Sequence, residues 1–155
     1  MPHVLEVKLH AHVGHRLMHH SGKCKNLHGH QYHFVIRFGM PDIERERGMA
    51  LDFSDAKAIA NKIVDNWDHG FLYNKADPVF NPRTLADLAV VQDSAKLFPM
   101  DGDPTAENIS QLLYFLLKQE LRAASCPAWV REVEVWETLT CCAKYTELEV
   151  PPATR

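Results

Sequence analysis

The chain of 155 residues is short of several things, and each shortage excludes a class of function. It has no block of lysine or arginine, and its formal net charge is −3, so it lacks the basic footprint of a nucleic-acid binder. It has no apolar run of 18 residues, so no membrane-spanning helix is expected. The first ten residues alternate in polarity and lack the apolar stretch of a secretory leader. Four cysteines, two of them adjacent at Cys141 and Cys142, do not make a disulfide framework, and a reducing, cytoplasmic setting is expected. What the chain does have is histidine. There are 10, and eight of them lie between His10 and His33.

Alternation organises the first part of the chain. Val4 to His12 reads as a half-buried strand with Leu5, Val7, Leu9 and Ala11 on one side. His28 to Phe38 reads as a second, with His28, His30, Tyr32, Phe34 and Ile36 sharing a side. "MALDF" reads as a short third strand. Ser54 is expected to cap a helix from Asp55 to Trp67, and Thr105 a second helix from Ala106 to Ala124. Residues 70–103 contain prolines and mixed polarity and are expected to be irregular, with room for a short strand or a turn of helix. Strands are expected at Val130–Thr138, with Arg131, Val133, Val135 and Glu137 on one side, and at Cys142–Val150. Strands and helices arrive in groups, which points to one α+β domain over 1–155 with an antiparallel sheet.

The same parity sorts the histidines. His28 and His30 face the apolar side, about 7 Å apart from the rise per residue. His15 joins them if the parity of the first strand continues. His10, His12 and His33 fall on the polar side. Three imidazoles turned toward a core are costly unless something satisfies them. A metal satisfies all three and leaves one position of a tetrahedral zinc open, the catalytic pattern. Two alternatives stand beside this. His10 and His12 form a rival pair of ligands, and Cys24, four residues before His28, could close the site as a structural fourth ligand.

"HRL" at His15, Cys24-x3-His28-Gly29-His30, "DH" at Asp68-His69, "PTAEN" from Pro104 and "ET" at Glu137-Thr138 occur in one order along the chain. Together they resemble the 6-pyruvoyl-tetrahydropterin synthase family. The three-residue gap between Cys24 and His28 is similar to the family's queuosine-pathway branch, the 6-carboxy-5,6,7,8-tetrahydropterin synthases. The resemblance implies a tunnelling fold: a four-stranded antiparallel sheet with two helices on one face, oligomerising into a barrel, two trimers to a hexamer. It implies a zinc-dependent lyase acting on a pterin, 7,8-dihydroneopterin triphosphate. By resemblance, zinc sits on His15, His28 and His30, and Cys24 is the general base. Asp68 and His69 form a proton relay working beside a neighbouring subunit's cysteine. Glu137 grips the pterin, and Thr105 and Glu107 lie among the pterin contacts. Arg16, Lys23 and Lys25 are near enough in sequence to meet a triphosphate. Two departures stand out: Gly14 where the family usually has Ala or Ser, and a 70–103 segment longer than in shorter bacterial members. A pyruvoyl-forming synthase and a non-catalytic metal or pterin module are the competing readings.

Overall fold

The computed structural model describes residues 3–40, 42–91 and 95–147. Two long strands, β1 (His3–His15) and β2 (His28–Met40), pair antiparallel along their whole length, from His3 opposite Met40 to His15 opposite His28. β5 (Trp129–Trp136) pairs with β2, and β6 (Cys142–Tyr145) with β5, both antiparallel. These four strands correspond to the expected sheet, but the sheet does not stop there. β3 (Gly70–Asn74) adds to the free edge of β1 and β4 (Leu97–Met100) adds to β3, both parallel. The result is a six-stranded mixed sheet in the order β4-β3-β1-β2-β5-β6. The described residues of 70–103 are therefore more regular than expected, with two strands and a full helix. A 3-10 turn at Pro78–Phe80 and helix α2 (Pro82–Val91) lie between β3 and β4, the crossover that a parallel pair requires.

Helices α1 (Phe53–Trp67) and α3 (Ala106–Ala123) pack on each other and against the strands. Their apolar stripes, Ala56, Ile59, Ala60, Ile63, Val64 and Trp67 in α1 and Ile109, Leu113, Leu117 and Leu121 in α3, bury at helical spacing. They meet Val7, Ala11, Tyr32, Phe34, Ile36, Phe38, Val133 and Val135 in one core. Burial of this kind is worth roughly 1.5–3 kcal/mol per large apolar side chain.

Several local expectations change. α1 begins two residues earlier, because Asp52 and not Ser54 is the N-cap; its carboxylate accepts from the Ser54 amide at 2.7 Å. "MALDF" forms no strand: Met49 makes a lone bridge with Glu44 across a turn closed by Gly48 at positive φ, and helix follows. Arg131 leaves the inward side because the register shifts there. Arg37 faces Glu132 while the next residue, Phe38, faces Val130, so Arg131 is the extra residue of a bulge and is exposed. The last strand ends at Tyr145, short of the expected Val150; Thr146 and Glu147 are not strand, and 148–150 lie outside the described residues. No helix among the described residues is long and apolar enough to cross a membrane.

The two sequence departures meet in space. β3 enters beside Gly14, and a Cβ at position 14 would overlap the Phe71 ring. Glycine at 14 is what lets the added edge strand lie against β1 at the end that carries His15.

Candidate metal centre

The end of the β1–β2 hairpin holds the site. Because β1 and β2 are in register through His15 opposite His28, the strand parity carries His15, His28 and His30 to the same face. One ligand atom from each lies within 4.8 Å of the others, and the Nε2 atoms of His15 and His28 are 3.0 Å apart. His15 is fully buried, while His28 and His30 are half-buried at the mouth.

The orientation of the rings is fixed from behind. His15 Nδ1 donates to the carbonyl of Pro104 at 2.8 Å, and His28 Nδ1 to the carbonyl of Asn26 at 2.8 Å. Those bonds place the protons on Nδ1 and leave both Nε2 lone pairs turned into the cluster, the arrangement metal-ligating histidines adopt. His30 Nε2 is buried without a hydrogen-bond partner. An orphaned buried nitrogen beside two convergent lone pairs fits a cation better than it fits a packed core. The electrostatics agree. Burial pushes the pKa of His15 below its ordinary value, further helped by His28, against the opposing pull of the Pro104 carbonyl and Glu137. Burial lowers His30 too, despite Glu137. The neutral, metal-binding form is favoured at both.

Glu137 and Tyr32 complete the floor. Glu137 Oε1 lies 3.4 Å from His15 Nε2 and 3.5 Å from His30 Nε2. The Tyr32 hydroxyl donates to the same oxygen at 3.2 Å and lies 3.1 Å from His15 Nδ1. Burial, with Glu137 beside it, pushes the Tyr32 hydroxyl far above its ordinary value, so it stays a donor. Tyr32 was singled out by no motif, yet its parity with His28 and His30 carried the signal.

Cys24 sits in a 3-10 turn (Lys23–Lys25) on the loop between β1 and β2, half-buried. Its carbonyl accepts from the Leu17 amide at 2.9 Å, which ties the turn back to the start of the loop. Among the described residues the thiol is not one of the mutually close ligand atoms, which come from the three histidines. Thr105 caps α3, its hydroxyl accepting from the Asn108 amide at 3.3 Å, and Glu107 stands exposed in the first turn. Through Pro104 this helix start is joined directly to His15.

Asp68 and His69 stand apart from the cluster. Asp68 follows α1; its carboxylate accepts from the His12 amide at 2.7 Å and from His69 Nδ1 at 2.7 Å. Those bonds, the His12 amide first, hold its pKa below the ordinary carboxylate range. His69 has a positive φ of 57°, and its ring is 5.6 Å from that of His12, on the exposed side. Among the described contacts none joins this pair to Cys24 or the triad. Arg16 meets the added segment: its Nε is 2.7 Å from the fully buried Asp77 carboxylate.

The 6-pyruvoyl tetrahydropterin synthase family model matches residues 5–148. Among curated proteins, the 6-carboxy-5,6,7,8-tetrahydropterin synthase of Aquifex aeolicus is 35% identical over 127 residues, 81% of this chain and 76% of its own. The Haemophilus influenzae protein of the same name is 31% identical over 87% of this chain and 92% of its own. Among solved structures, Plasmodium vivax 6-pyruvoyl tetrahydropterin synthase superposes with a TM-score of 0.72 at 21% identity, covering 95% of this chain and 98% of that one. An uncharacterized protein from Wolinella succinogenes gives 0.76 at 20% identity, covering 94% and 98%. With a matching domain over nearly its whole length and a mixed α+β fold shared with these structures, the chain belongs to the 6-pyruvoyl tetrahydropterin synthase family.

Proposed function

We propose that the protein is a zinc-dependent lyase of the queuosine pathway. It converts 7,8-dihydroneopterin triphosphate and one water to 6-carboxy-5,6,7,8-tetrahydropterin, acetaldehyde and triphosphate. The observation that carries this reading is the convergence of one ring nitrogen from each of three histidines, two of the rings aimed by backbone carbonyls, with a thiol in the adjoining loop outside the cluster. The names of the relatives at 31–35% identity support the carboxy branch.

His15, His28 and His30 would hold the ion, which when bound supplies Lewis acidity toward the substrate's side-chain hydroxyls. Cys24 is the general base and takes the proton from the carbon beside those hydroxyls; as a thiolate it benefits from a nearby cation. His69 carries the returning proton on Nε2, because its Nδ1–H is committed to Asp68. Glu137 accepts the paired N–H groups of the pterin's 2-amino-pyrimidine edge. Tyr32 donates to Glu137 Oε1 and holds the carboxylate at the floor of the site. Thr105 and Glu107 border the pterin from the start of α3. The separation of Asp68-His69 from Cys24 within one chain supports a site completed by a second copy, in a homohexamer of two trimers.

The test is product analysis. The zinc-loaded protein is incubated without oxygen with 7,8-dihydroneopterin triphosphate, with an acetaldehyde trap and Cys24→Ala as control. Carboxytetrahydropterin with acetaldehyde, absent in the control, is the expected result. Pyruvoyl-tetrahydropterin without acetaldehyde would move the protein to the other branch, and no turnover from a folded, metal-bound oligomer would overturn the lyase.

A further inference from the structure

The segment 70–103 carries two carboxylates that reach back to the loop bearing Cys24. The first is Asp77, which opens the 3-10 turn after β3. Its Oδ1 accepts from the Val79 amide at 2.9 Å, and its own amide donates to the Asn74 carbonyl at 2.8 Å, so its position is fixed by its own segment. Its Oδ2 meets Arg16 Nε at 2.7 Å, with the Asp77 side chain fully buried and that of Arg16 only 19% exposed. Arg16 directly follows the metal-site residue His15. The next residue, Leu17, donates its amide to the Cys24 carbonyl. The ion pair is thus two links from the thiol-bearing residue.

The second is Asp103, at the end of the segment. Its Oδ2 accepts from the His19 amide at 2.9 Å and its Oδ1 from Asn74 Nδ2 at 2.9 Å. Asn108 Nδ2 binds its carbonyl at 2.8 Å, anchoring it to the start of α3. Burial acts to raise its pKa, but the bonds from Asn74 and His19 prevail and hold it low, so the carboxylate is charged when it grips the loop. The two carboxylates therefore meet the loop at Arg16 and at His19, each held in place by further hydrogen bonds. A buried ion pair is a poor general stabiliser, and its best-attested use is to fix one geometry over its alternatives. A loop residue that must place a thiol within reach of a substrate carbon needs such geometry.

We propose that Asp77 and Asp103 are positioning residues for the Cys24 thiol, and that the added segment 70–103 is a strap that sets the Cys24 loop against the histidine triad. This rests on the reading of Cys24 as the catalytic base.

The experiment uses the full-length, zinc-loaded oligomer and the variants Asp77→Asn, Asp103→Asn, Arg16→Met and Arg16→Lys. Three quantities are read: zinc per chain, kcat and KM, and the rate at which iodoacetamide alkylates Cys24, resolved at that peptide by mass spectrometry. The expected result for Asp77→Asn and Arg16→Met is unchanged zinc and KM. With these, kcat falls by about 10- to 100-fold, since a misplacement of about 1 Å can lose that much. Alkylation of the half-buried thiol rises several-fold as the loop opens. Arg16→Lys, which keeps the charge, recovers most of kcat. Asp103→Asn moves the same readouts in the same direction by less, and it carries the test if Asp77→Asn does not fold. Wild-type kcat and alkylation in folded variants would overturn the proposal. So would a parallel loss of zinc and activity, which would make the carboxylates supports of the triad instead. Retained activity in Cys24→Ala would refute the base assignment, while the alkylation rates would still decide whether the strap holds the loop.

Discussion

The two faces of one hairpin carry the same motif and do different things. β1 and β2 each hold an HxH, His10-x-His12 and His28-x-His30, and the two strands are paired through both. On the inner face His28 and His30 meet His15, with Nδ1 atoms tied to carbonyls and an Nε2 left without a partner. On the outer face His10 stands directly opposite His33 with ring centroids 6.2 Å apart, and His12 is 6.4 Å from His10, all three exposed. Among the described residues these outer rings form no three-membered group of close ligand atoms. The difference teaches that the spacing of histidines does not make a metal centre. Burial, with a carbonyl behind two of the three rings, does, because burial removes water as the competing partner and the carbonyls fix which nitrogen is free.

The sharpest way to break this comparison is at the thiol that sits beside the inner face but outside its cluster. Cys24→Ala should lower kcat by about 10²- to 10⁴-fold, the usual range for a positioned base, while zinc content stays near one per chain. Loss of metal in that variant would show that the thiol closes the site. Next comes the ligand set. His28→Ala should weaken metal binding by on the order of 100-fold or more, since even a missing partner behind a ligand loses 10- to 100-fold. His10→Ala and His12→Ala should retain wild-type affinity in the same competition titration against a chelator. An equal loss in all three would erase the distinction between the faces.

The outer face has its own buried chemistry, of another kind. Glu134 is only 3% exposed and is gripped by Arg37, Lys144 at 2.7 Å and the Trp136 indole N–H at 2.9 Å. Burial pushes the carboxyl up, but these bonds prevail and hold its pKa at about 2. A depressed carboxylate contributes stability that is present above its unfolded pKa of 4.5 and is lost as pH falls toward 2. Glu134→Gln should therefore cost about 2 kcal/mol at pH 7, typical of hydrogen bonds to a charged group. The gap between variant and wild type in chemical unfolding should close between pH 4.5 and 2. A gap independent of pH would mean that packing, not charge, holds this face. The smallest effect is expected at His33→Ala, within about 0.5 kcal/mol and with metal affinity unchanged, as for an exposed residue with no special partner.

Much of the inner face was legible. Period-two alternation put His15, His28 and His30 together because a strand's side chains alternate whatever surrounds it. Thr105 was legible as a cap because an N-cap acts within three residues. Other positions failed for equally physical reasons. Ser54 looked like the cap of α1, yet Asp52 won because its carboxylate reaches the Ser54 amide and draws Phe53 into the helix. Arg131 looked inward, but a bulge shifted the register, and a bulge depends on the partner strand. Residues 70–103 looked largely irregular because short strands that finish a parallel edge have little periodicity of their own; β3 pairs with β1, far away in sequence, and β4 pairs only with β3.

Local chemistry in the sequence by itself thus determined the long hairpin, the two main helices and which histidines face inward, because alternation, helical spacing and capping act over a few residues. Tertiary structure alone decided the rest. It added a parallel edge beside Gly14, because that edge needs a space which only Phe71 on another strand reveals. It brought Tyr32 to Glu137, Pro104 to His15, and Asp77 and Asp103 to the Cys24 loop. Hydrogen bonds and ion pairs between distant residues depend on where the whole chain has been folded, and no local pattern encodes them.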